Sequence, residues 1–340
     1  MTLPTSTDAD EPTSQPSHGP HPQTARRRTR SSMWEWKLII GITVVAGLLV
    51  VSVLTGVHNT SEMLAITRIP RTIALVLAGA AMALSGLVMQ LLTQNRFVEP
   101  TTTGTTEWAG LGLLCAMIVF PSPSLMVRMI SAVIFAFIGT VVFFLFLRRV
   151  SLRSSLIVPI VGIMLGAVIS SISTFVALQT DMLQQLGIWF AGSFTSVLRG
   201  QYEVLWLVAV IVVAVWILAD RLTAAGLGEE LATTIGVNYQ RVLLIGTILI
   251  ALATGVVTVV VGNLPFVGLI VPNVVSMIRG DDLRSNLPWV CLLGVGIVTV
   301  CDLIGRLIIM PFEIPISVVL GIVGAVVFIG LLLSHRKGRI

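Results

Sequence analysis

Long apolar stretches separated by short polar breaks run along the chain from about residue 36 to residue 334. A helix needs roughly 20 apolar residues to cross a bilayer core about 30 Å thick, and most of these stretches approach that length. We predict an all-α membrane protein with about ten transmembrane helices, at 36–56, 70–92, 105–121, 127–147, 155–178, 202–219, 241–262, 266–279, 289–310 and 315–334. The eighth stretch is short and contains Pro272, so it is the least typical membrane helix of the ten.

The composition agrees with a multi-span membrane protein. Hydrophobic residues make up 55% of the chain and charged residues 11%, and the mean hydropathy is +0.98. Soluble domains carry about 25% charged residues, so this chain has too few charges to cover a soluble surface. These values exclude a soluble enzyme, and they exclude a nucleic-acid binder in spite of a pI of about 9.7.

The chain divides into a tail and a membrane domain. Residues 1–33 are rich in Pro, Ser, Thr and Gln and end in an arginine cluster, which predicts a disordered basic cytoplasmic tail able to touch anionic lipid. Residues 34–340 form the ten-helix domain. With the amino terminus inside, most Lys and Arg fall on the cytoplasmic side, so the positive-inside rule predicts an even number of spans and both termini in the cytoplasm.

The scarce reactive residues exclude several kinds of chemistry. Cys115, Cys291 and Cys301 lie inside apolar stretches, and their odd number and spacing indicate neither disulfides nor a metal site. The four histidines lie outside the apolar stretches, which argues against a membrane haem protein. No G-x-x-x-x-G-K-[ST] loop is present. We therefore expect no catalytic residue, metal or cofactor in this chain, and any ATP-Mg must bind a separate polypeptide.

One acid, Asp302, lies deep in a predicted span, and Arg306 follows four residues later on the same helix face. An isolated charge in a membrane is costly whereas a pair is not, so a neutralising ion pair is favoured over a proton relay. Glu107, at the start of the third span, is interpreted as an interfacial helix-start acid.

Basic residues on the predicted outer face oppose the charge rule. Arg68 and Arg71 lie at the start of the second span, and Arg306 lies toward the outer end of the ninth. Two explanations of these outer arginines are equally consistent with the sequence. They contact lipid head groups or pair with Glu62, or they form a basic rim for an acidic partner or an anionic substrate.

The longest polar cytoplasmic segment, 220–241, carries a predicted short helix. Gly228, Glu229 and Glu230 open it with acids in its first turn, and Gly236 closes it. Its length favours a docking helix over an ordinary surface loop, because most connections are shorter.

Several motifs, in this order, resemble a known family: RIPRTIALVLAGAAMALSGLVMQ (68–90), QNRFVEPTTTG (94–104), GEELATTIGV (228–237), NLPFVGLIVPNVVSMIRGDDLR (263–284), CDLIGR (301–306) and EIPISVVLGIVGAVVF (313–328). The chain is similar to the permeases of bacterial ABC importers for iron-siderophores and cobalamin, from about residue 36 to 334.

The resemblance implies the fold of a type II ABC importer permease in the bacterial cell membrane. It implies a second permease, either a copy or a paralogue, two ATPase subunits and an extracytoplasmic binding protein as partners. It assigns coupling to the ATPase to Gly228, Glu229, Glu230, Leu231, Ile235, Gly236 and Val237, and docking of the binding protein to Arg68, Arg71 and Arg306. Candidates for the pathway or for helix packing are Gly79, Ser85, Gly86, Gln90, Asn95, Pro100, Pro272 and Asn273.

The chain departs from the family pattern at Asn273, Arg96 and Glu107. The VPN and EIPIS variants favour a ferric siderophore as the substrate, with cobalamin or haem as alternatives within the same class. The rival outside the class is a gradient-driven secondary transporter, for which Asp302 is the candidate ionisable group.

Overall fold

The computed structural model describes residues 23–56, 61–149 and 157–337. Every regular element in these ranges is helical. The α-helices are α1 Gln23–Leu54, α2 Ser61–Met63, α3 Ile69–Thr93, α4 Thr105–Val119, α5 Leu125–Arg149, α6 Ile157–Gln179, α7 Leu183–Phe190, α8 Leu207–Gly226, α9 Glu229–Thr234, α10 Tyr239–Val260, α11 Val267–Arg279, α12 Leu283–Leu307 and α13 Ile316–Lys337. A π-helical turn, Leu64–Arg68, precedes α3, and a 3₁₀ turn, Glu203–Trp206, precedes α8.

The chain splits into two units, Met1–Ile42 and Thr43–Ile340. The described part of the first unit is the beginning of α1, which starts at Gln23 inside the predicted tail, and residues 1–22 of that tail lie outside the described residues. The second unit contains the rest of the helices.

The predicted all-helical membrane fold is confirmed. Among the described residues, seven helices are long and apolar enough to cross a membrane: Trp36–Leu54, Leu64–Thr93, Leu125–Arg149, Ile157–Gln179, Glu203–Gly226, Tyr239–Val260 and Leu283–Leu307. Three shorter apolar helices are Thr105–Val119, Val267–Arg279 and Ile316–Gly330. These helices correspond in order to the ten predicted stretches.

Helix α3 lies at the centre of the second unit, packed against α8, α10, α11 and α12. Its small residues let neighbouring backbones approach closely, which matters because lipid supplies no hydrophobic drive between helices. A Cβ built on Gly79 would lie 2.9 Å from the carbonyl oxygen of Gly294 in α12, and one on Gly86 would lie 2.1 Å from that of Gly268 in α11. Both glycines are therefore packing residues.

Because α3 and α12 run in opposite directions, the two ends of the bundle differ in character. The start of α3 and the end of α12 bring Arg68, Arg71 and Arg306 together at what we call the arginine end. The end of α3, the connection 94–104, α9 and the start of α12 lie at the opposite end, the α9 end.

Replacing Gly86 by alanine should destabilise the protein, because the new methyl group would meet backbone atoms of Gly268 that cannot rotate away. Overpacking of this kind costs about 1–3 kcal/mol, which we expect to appear as a lower thermal midpoint in detergent. The matched control is Gly321→Ala in α13, where a Cβ meets nothing within 4 Å. Equal midpoints for the two variants would contradict the close α3–α11 contact.

Candidate functional site

A cluster of four charged side chains ties together several elements at the arginine end. Arg71 of α3 donates from Nη1 to both carboxylate oxygens of Glu313, at 2.9 and 3.0 Å, and from Nη2 to Asp302 Oδ1 at 2.7 Å. The Asp302 side chain is only 2% exposed. Thr195 also donates a hydrogen bond to Glu313, so the cluster includes the connection before α8.

Arg306 completes this cluster from the last turn of α12. Its Nη2 lies 2.8 Å from Asp302 Oδ2, an ion-pair contact without the alignment of a hydrogen bond. It donates to Ser52 of α1 at the carbonyl oxygen, 3.1 Å, and at Oγ, 2.6 Å. The Asp302–Arg306 pair therefore lies as the four-residue spacing predicts, but Asp302 has a second partner, Arg71, which the spacing gives no means of finding.

The cluster is electrically balanced, with two guanidinium groups facing two carboxylates. Buried charges are tolerated when they are paired and hydrogen-bonded, and removal of one partner leaves an uncompensated charge. Burial alone would raise the pKa of Glu313, but the hydrogen bonds and charge of Arg71 outweigh it and hold that pKa below its ordinary value. Glu313 is therefore ionised at neutral pH.

Arg68 lies beside this cluster and is itself buried. Its Nη1 donates to the carbonyl oxygens of Val53, 3.0 Å, and Leu54, 3.4 Å, at the end of α1. A cavity of about 260 Å³ is lined by all three arginines and by Glu313. The three arginines named by the resemblance thus share one pocket, while each also has acceptors within the chain.

At the α9 end, the connection 94–104 contains a buried acid that the sequence reasoning missed. Glu99 is 1% exposed and accepts hydrogen bonds from the backbone N–H groups of Phe266, 2.8 Å, and Leu269, 3.0 Å, at the start of α11. Burial raises the pKa of Glu99 to about 7, although these hydrogen bonds lower it. The sequence signal was an acid in the otherwise uncharged run FVEPTTTG. Asp302 is therefore not the only deeply buried acid among the described residues.

Two of the predicted pathway or packing residues bind polar backbone groups between α3, α11 and this connection. Gln90 Nε2 donates to the carbonyl oxygen of Gly268 at 3.1 Å. Asn273 Nδ2 donates to the carbonyl oxygens of Arg96 and Leu269, both at 2.7 Å. Asn273 therefore has a packing role here, and its amide satisfies backbone groups of two separate elements.

The remaining residues of this set have local contacts. Asn95 Oδ1 accepts from the Phe97 N–H at 2.9 Å, the Pro100 carbonyl accepts from the Thr105 N–H at 3.1 Å, and Ser85 Oγ donates to Met82 within α3. Pro272 lies inside α11 and is buried. These contacts give structural roles and leave a role in the pathway as a prediction.

Two of the residues that depart from the family pattern, Arg96 and Glu107, contact neighbouring side chains or helices. The exposed Arg96 pairs with Asp281, Nη2 to Oδ2 2.8 Å. Glu107, for which the sequence predicts an interfacial position, is half-buried and accepts a hydrogen bond from Thr106 Oγ1 at 2.9 Å. Its carboxylate lies against Gly166 of α6, where a Cβ would be 3.6 Å away, so it packs on a neighbouring helix.

Within the segment 220–241, the predicted docking helix is α9, and a glycine lies near each of its ends. Gly228 (φ +105°) precedes α9, and Gly236 (φ +84°) follows it. Leu231, at 57% exposed, and Ile235 point away from the bundle, while Ala232 is buried. Leu231 and Ile235, four residues apart, therefore form a small exposed apolar patch beside the exposed polar side chains of α9. The role of α9 as a coupling helix stays a prediction.

The two acids of α9 differ in their surroundings. Glu229 accepts a hydrogen bond from Gln240 Nε2 at 2.9 Å, and Gln240 in turn accepts one from Arg148 at the end of α5. Glu229 therefore holds α9 to α5 and α10. Glu230 is exposed and uses its backbone carbonyl to accept from Thr233 and Thr234.

Among the described residues, no three His, Cys, Asp or Glu side chains are grouped as metal ligands. The buried polar groups instead join helices. These contacts hold the helices and connections at each end in a defined arrangement.

Comparison with known proteins identifies the family to which the chain belongs. The model of the FecCD transport family matches residues 34–334. The chain belongs to this family. Among its curated relatives, the petrobactin import system permease protein FatD of Bacillus anthracis is 59% identical over 315 residues, covering 91% of this chain and 94% of the relative. This FecCD chain is thus a multi-pass membrane protein of a transport family.

Other relatives agree with this assignment. The petrobactin import system permease protein YclN of Bacillus subtilis (strain 168) is 41% identical, covering 85% of this chain and 95% of the relative. The ferric-anguibactin transport system permease protein FatD of Vibrio anguillarum (strain ATCC 68554 / 775) is 37% identical, covering 80% and 86%.

A solved structure has the same fold as this FecCD chain. It is an inward-facing metal-chelate type ABC transporter that matches with a TM-score of 0.76 at 24% identity, covering 88% of this chain and 99% of that one. The predicted permease fold is therefore confirmed.

Proposed function

We propose that this chain is the membrane permease subunit of an ABC importer that brings a ferric siderophore into a bacterial cell. The observation that carries the proposal is the 59% identity, over nearly the whole of both chains, to a permease named for petrobactin import. Relatives named for vitamin B12 import are 34% identical, so a siderophore is the better supported substrate and cobalamin the alternative.

The proposed complex contains partners that this chain lacks. A second permease, a copy or a paralogue, forms the pathway with it. ATPase subunits bind ATP-Mg and hydrolyse it, so this chain makes and breaks no bond of its substrate. An extracytoplasmic binding protein delivers the siderophore. Both termini and the α9 end face the cytoplasm in this arrangement, and the arginine end faces outward.

The two docking regions lie at opposite ends of α3. Twenty-five residues at 1.5 Å each make this helix about 37 Å long. Nucleotide therefore acts from one side of the membrane and the loaded binding protein from the other, each favouring one of two bundle conformations.

Reconstitution tests the function. Proteoliposomes holding the permease with its ATPase, supplied with binding protein and ⁵⁵Fe-labelled ferric petrobactin, should accumulate iron only with internal ATP-Mg. Uptake should persist when a protonophore abolishes the proton gradient. Iron accumulation by the permease alone, driven by a proton or sodium gradient, would contradict the proposal and support the secondary transporter. Transport of cobalamin or haem but not of ferric petrobactin would change the substrate only.

The exposed apolar side chains of Leu231 and Ile235 support the proposed role of α9 as the coupling helix. Leu231→Arg should leave the fold intact because the side chain is exposed, yet lower uptake and binding-protein-stimulated ATP hydrolysis about tenfold by removing an apolar docking contact. Both activities are measured in the reconstituted importer.

The matched control for α9 is Ser285→Arg, an exposed change at the same end but outside the 220–241 segment. It should leave both activities unchanged. Equal effects of the two substitutions, or none from Leu231→Arg, would remove α9 from the proposed ATPase interface.

The arginine pocket supports docking of an acidic side chain of the binding protein. Arg68 donates to Val53 and Leu54, so its guanidinium is held in the pocket where an acidic side chain of the binding protein would contact it. Arg68→Gln should weaken binding-protein affinity about tenfold and flatten its dependence on salt, because charge pairs steer association. Affinity is measured on permease in nanodiscs, with the exposed Arg199→Gln as control. Unchanged affinity and salt dependence in Arg68→Gln would leave Arg68 a structural residue.

A further inference from the structure

The buried carboxylate of Glu99 accepts hydrogen bonds with both of its oxygens. Oxygen Oε1 accepts from the Phe266 N–H and the Thr101 hydroxyl, and Oε2 accepts from the Leu269 N–H. Three donors thus converge on two acceptor oxygens. A glutamine here would have one acceptor oxygen, and its amide N–H₂ would face another donor.

The contacts of Glu99 stabilise the first turn of α11. The first N–H groups of a helix lack partners within the helix, and this end carries partial positive charge. Phe266, which precedes α11, has a left-handed backbone (φ +67°) that is unusual for a large side chain. Glu99 therefore acts as a cap for α11 that comes from a connection about 170 residues earlier in the chain.

The connection 94–104 is fixed to α11 at a second point. Asn273, in the second turn of α11, donates to the Arg96 carbonyl. Glu99 and Asn273 thus hold the same connection at two places on one helix. The nearby Arg96 forms its ion pair with Asp281 at the surface. The hydrogen bonds to Glu99 come from two backbone N–H groups and one hydroxyl group.

The other end of the connection lies against α9. Gln94 (φ +50°) follows α3, and a Cβ on Gly228 would lie 3.1 Å from Gln94 Nε2. Gly228 is the residue just before α9. A continuous set of contacts therefore runs from α9 through Gln94 and the connection to Glu99 and the start of α11.

We propose that Glu99 is a positioning residue that locks the connection 94–104 onto the amino end of α11, so that movement of α9 reaches α11 as a joint displacement. This inference rests on the proposed coupling function of α9. Burial raises the pKa of Glu99 to about 7, so a charged carboxylate is costly at this position. The three hydrogen-bond donors around its two oxygens offset part of that cost. Glu99 touches neither substrate nor nucleotide in this proposal and acts only through the two elements it joins.

The test compares Glu99→Gln with Glu203→Gln in the reconstituted importer. Glu203 is an exposed acid at the arginine end that accepts one backbone N–H, from Gly200 at 2.7 Å, so it is a matched loss of a carboxylate. For Glu99→Gln we expect the maximal uptake rate, and the iron imported per ATP hydrolysed, to fall about fivefold. The concentration of loaded binding protein at half-maximal uptake should stay unchanged, because docking is at the other end. Glu203→Gln should match the wild type.

Amide hydrogen exchange gives a readout that does not need activity. In Glu99→Gln, exchange should rise together in the segments 94–104 and 266–270, while Glu203→Gln should leave both unchanged. A rise in only one segment, or in neither, would overturn the proposal. A lower uptake explained entirely by less folded protein, with an unchanged ratio of iron to ATP, would also overturn it.

These outcomes separate this inference from the proposed function. Wild-type importer that fails to move iron with ATP contradicts the function, while the exchange experiment still decides whether Glu99 joins the two elements. An active wild type whose coupling ratio is unaffected by Glu99→Gln contradicts the inference alone.

Discussion

Polar and charged groups inside a membrane bundle must find their partners within the protein, because lipid offers none. The polar contacts at both ends of the bundle follow from that constraint. At the arginine end, Arg71 and Arg306 balance Asp302 and Glu313. At the α9 end, the carboxylate of Glu99 takes up N–H groups that open α11. These ion pairs and hydrogen bonds provide partners for the buried polar groups, and they also join separate helices.

Close backbone contact supplies the other half of the architecture. Gly86 and Gly268 bring α3 and α11 so near that neither has room for a methyl group, and Gln90 then reaches the Gly268 carbonyl. Small residues and buried amides thus act at the same crossing. Such a crossing resists sliding of one helix past the other, because each shift breaks polar contacts that lipid cannot replace.

Local sequence patterns were enough to predict the helices. Contacts between residues far apart in the chain could not be predicted from such patterns. The length and composition of each apolar stretch identify it as a membrane helix by themselves. Gly228 and Gly236, which adopt positive φ angles, mark the two ends of α9. The Asp302–Arg306 pair follows from a helical spacing of four. The second partner of Asp302 is 231 residues away in Arg71, and Glu99 meets a backbone N–H group 170 residues away. A single sequence holds no signal that pairs such distant positions, so the tertiary part of each site was out of reach.

The arginine end also bears on the power source of transport. A proton carried by Asp302 would neutralise the carboxylate that both Arg71 and Arg306 face, leaving two buried guanidinium groups against Glu313 alone. A proton relay needs a group that can exchange a proton with its surroundings, whereas the Asp302 side chain is only 2% exposed and contacts both arginines. The geometry therefore suits a fixed joint between α3 and α12, which agrees with the proposal that ATP hydrolysis by a separate subunit drives transport.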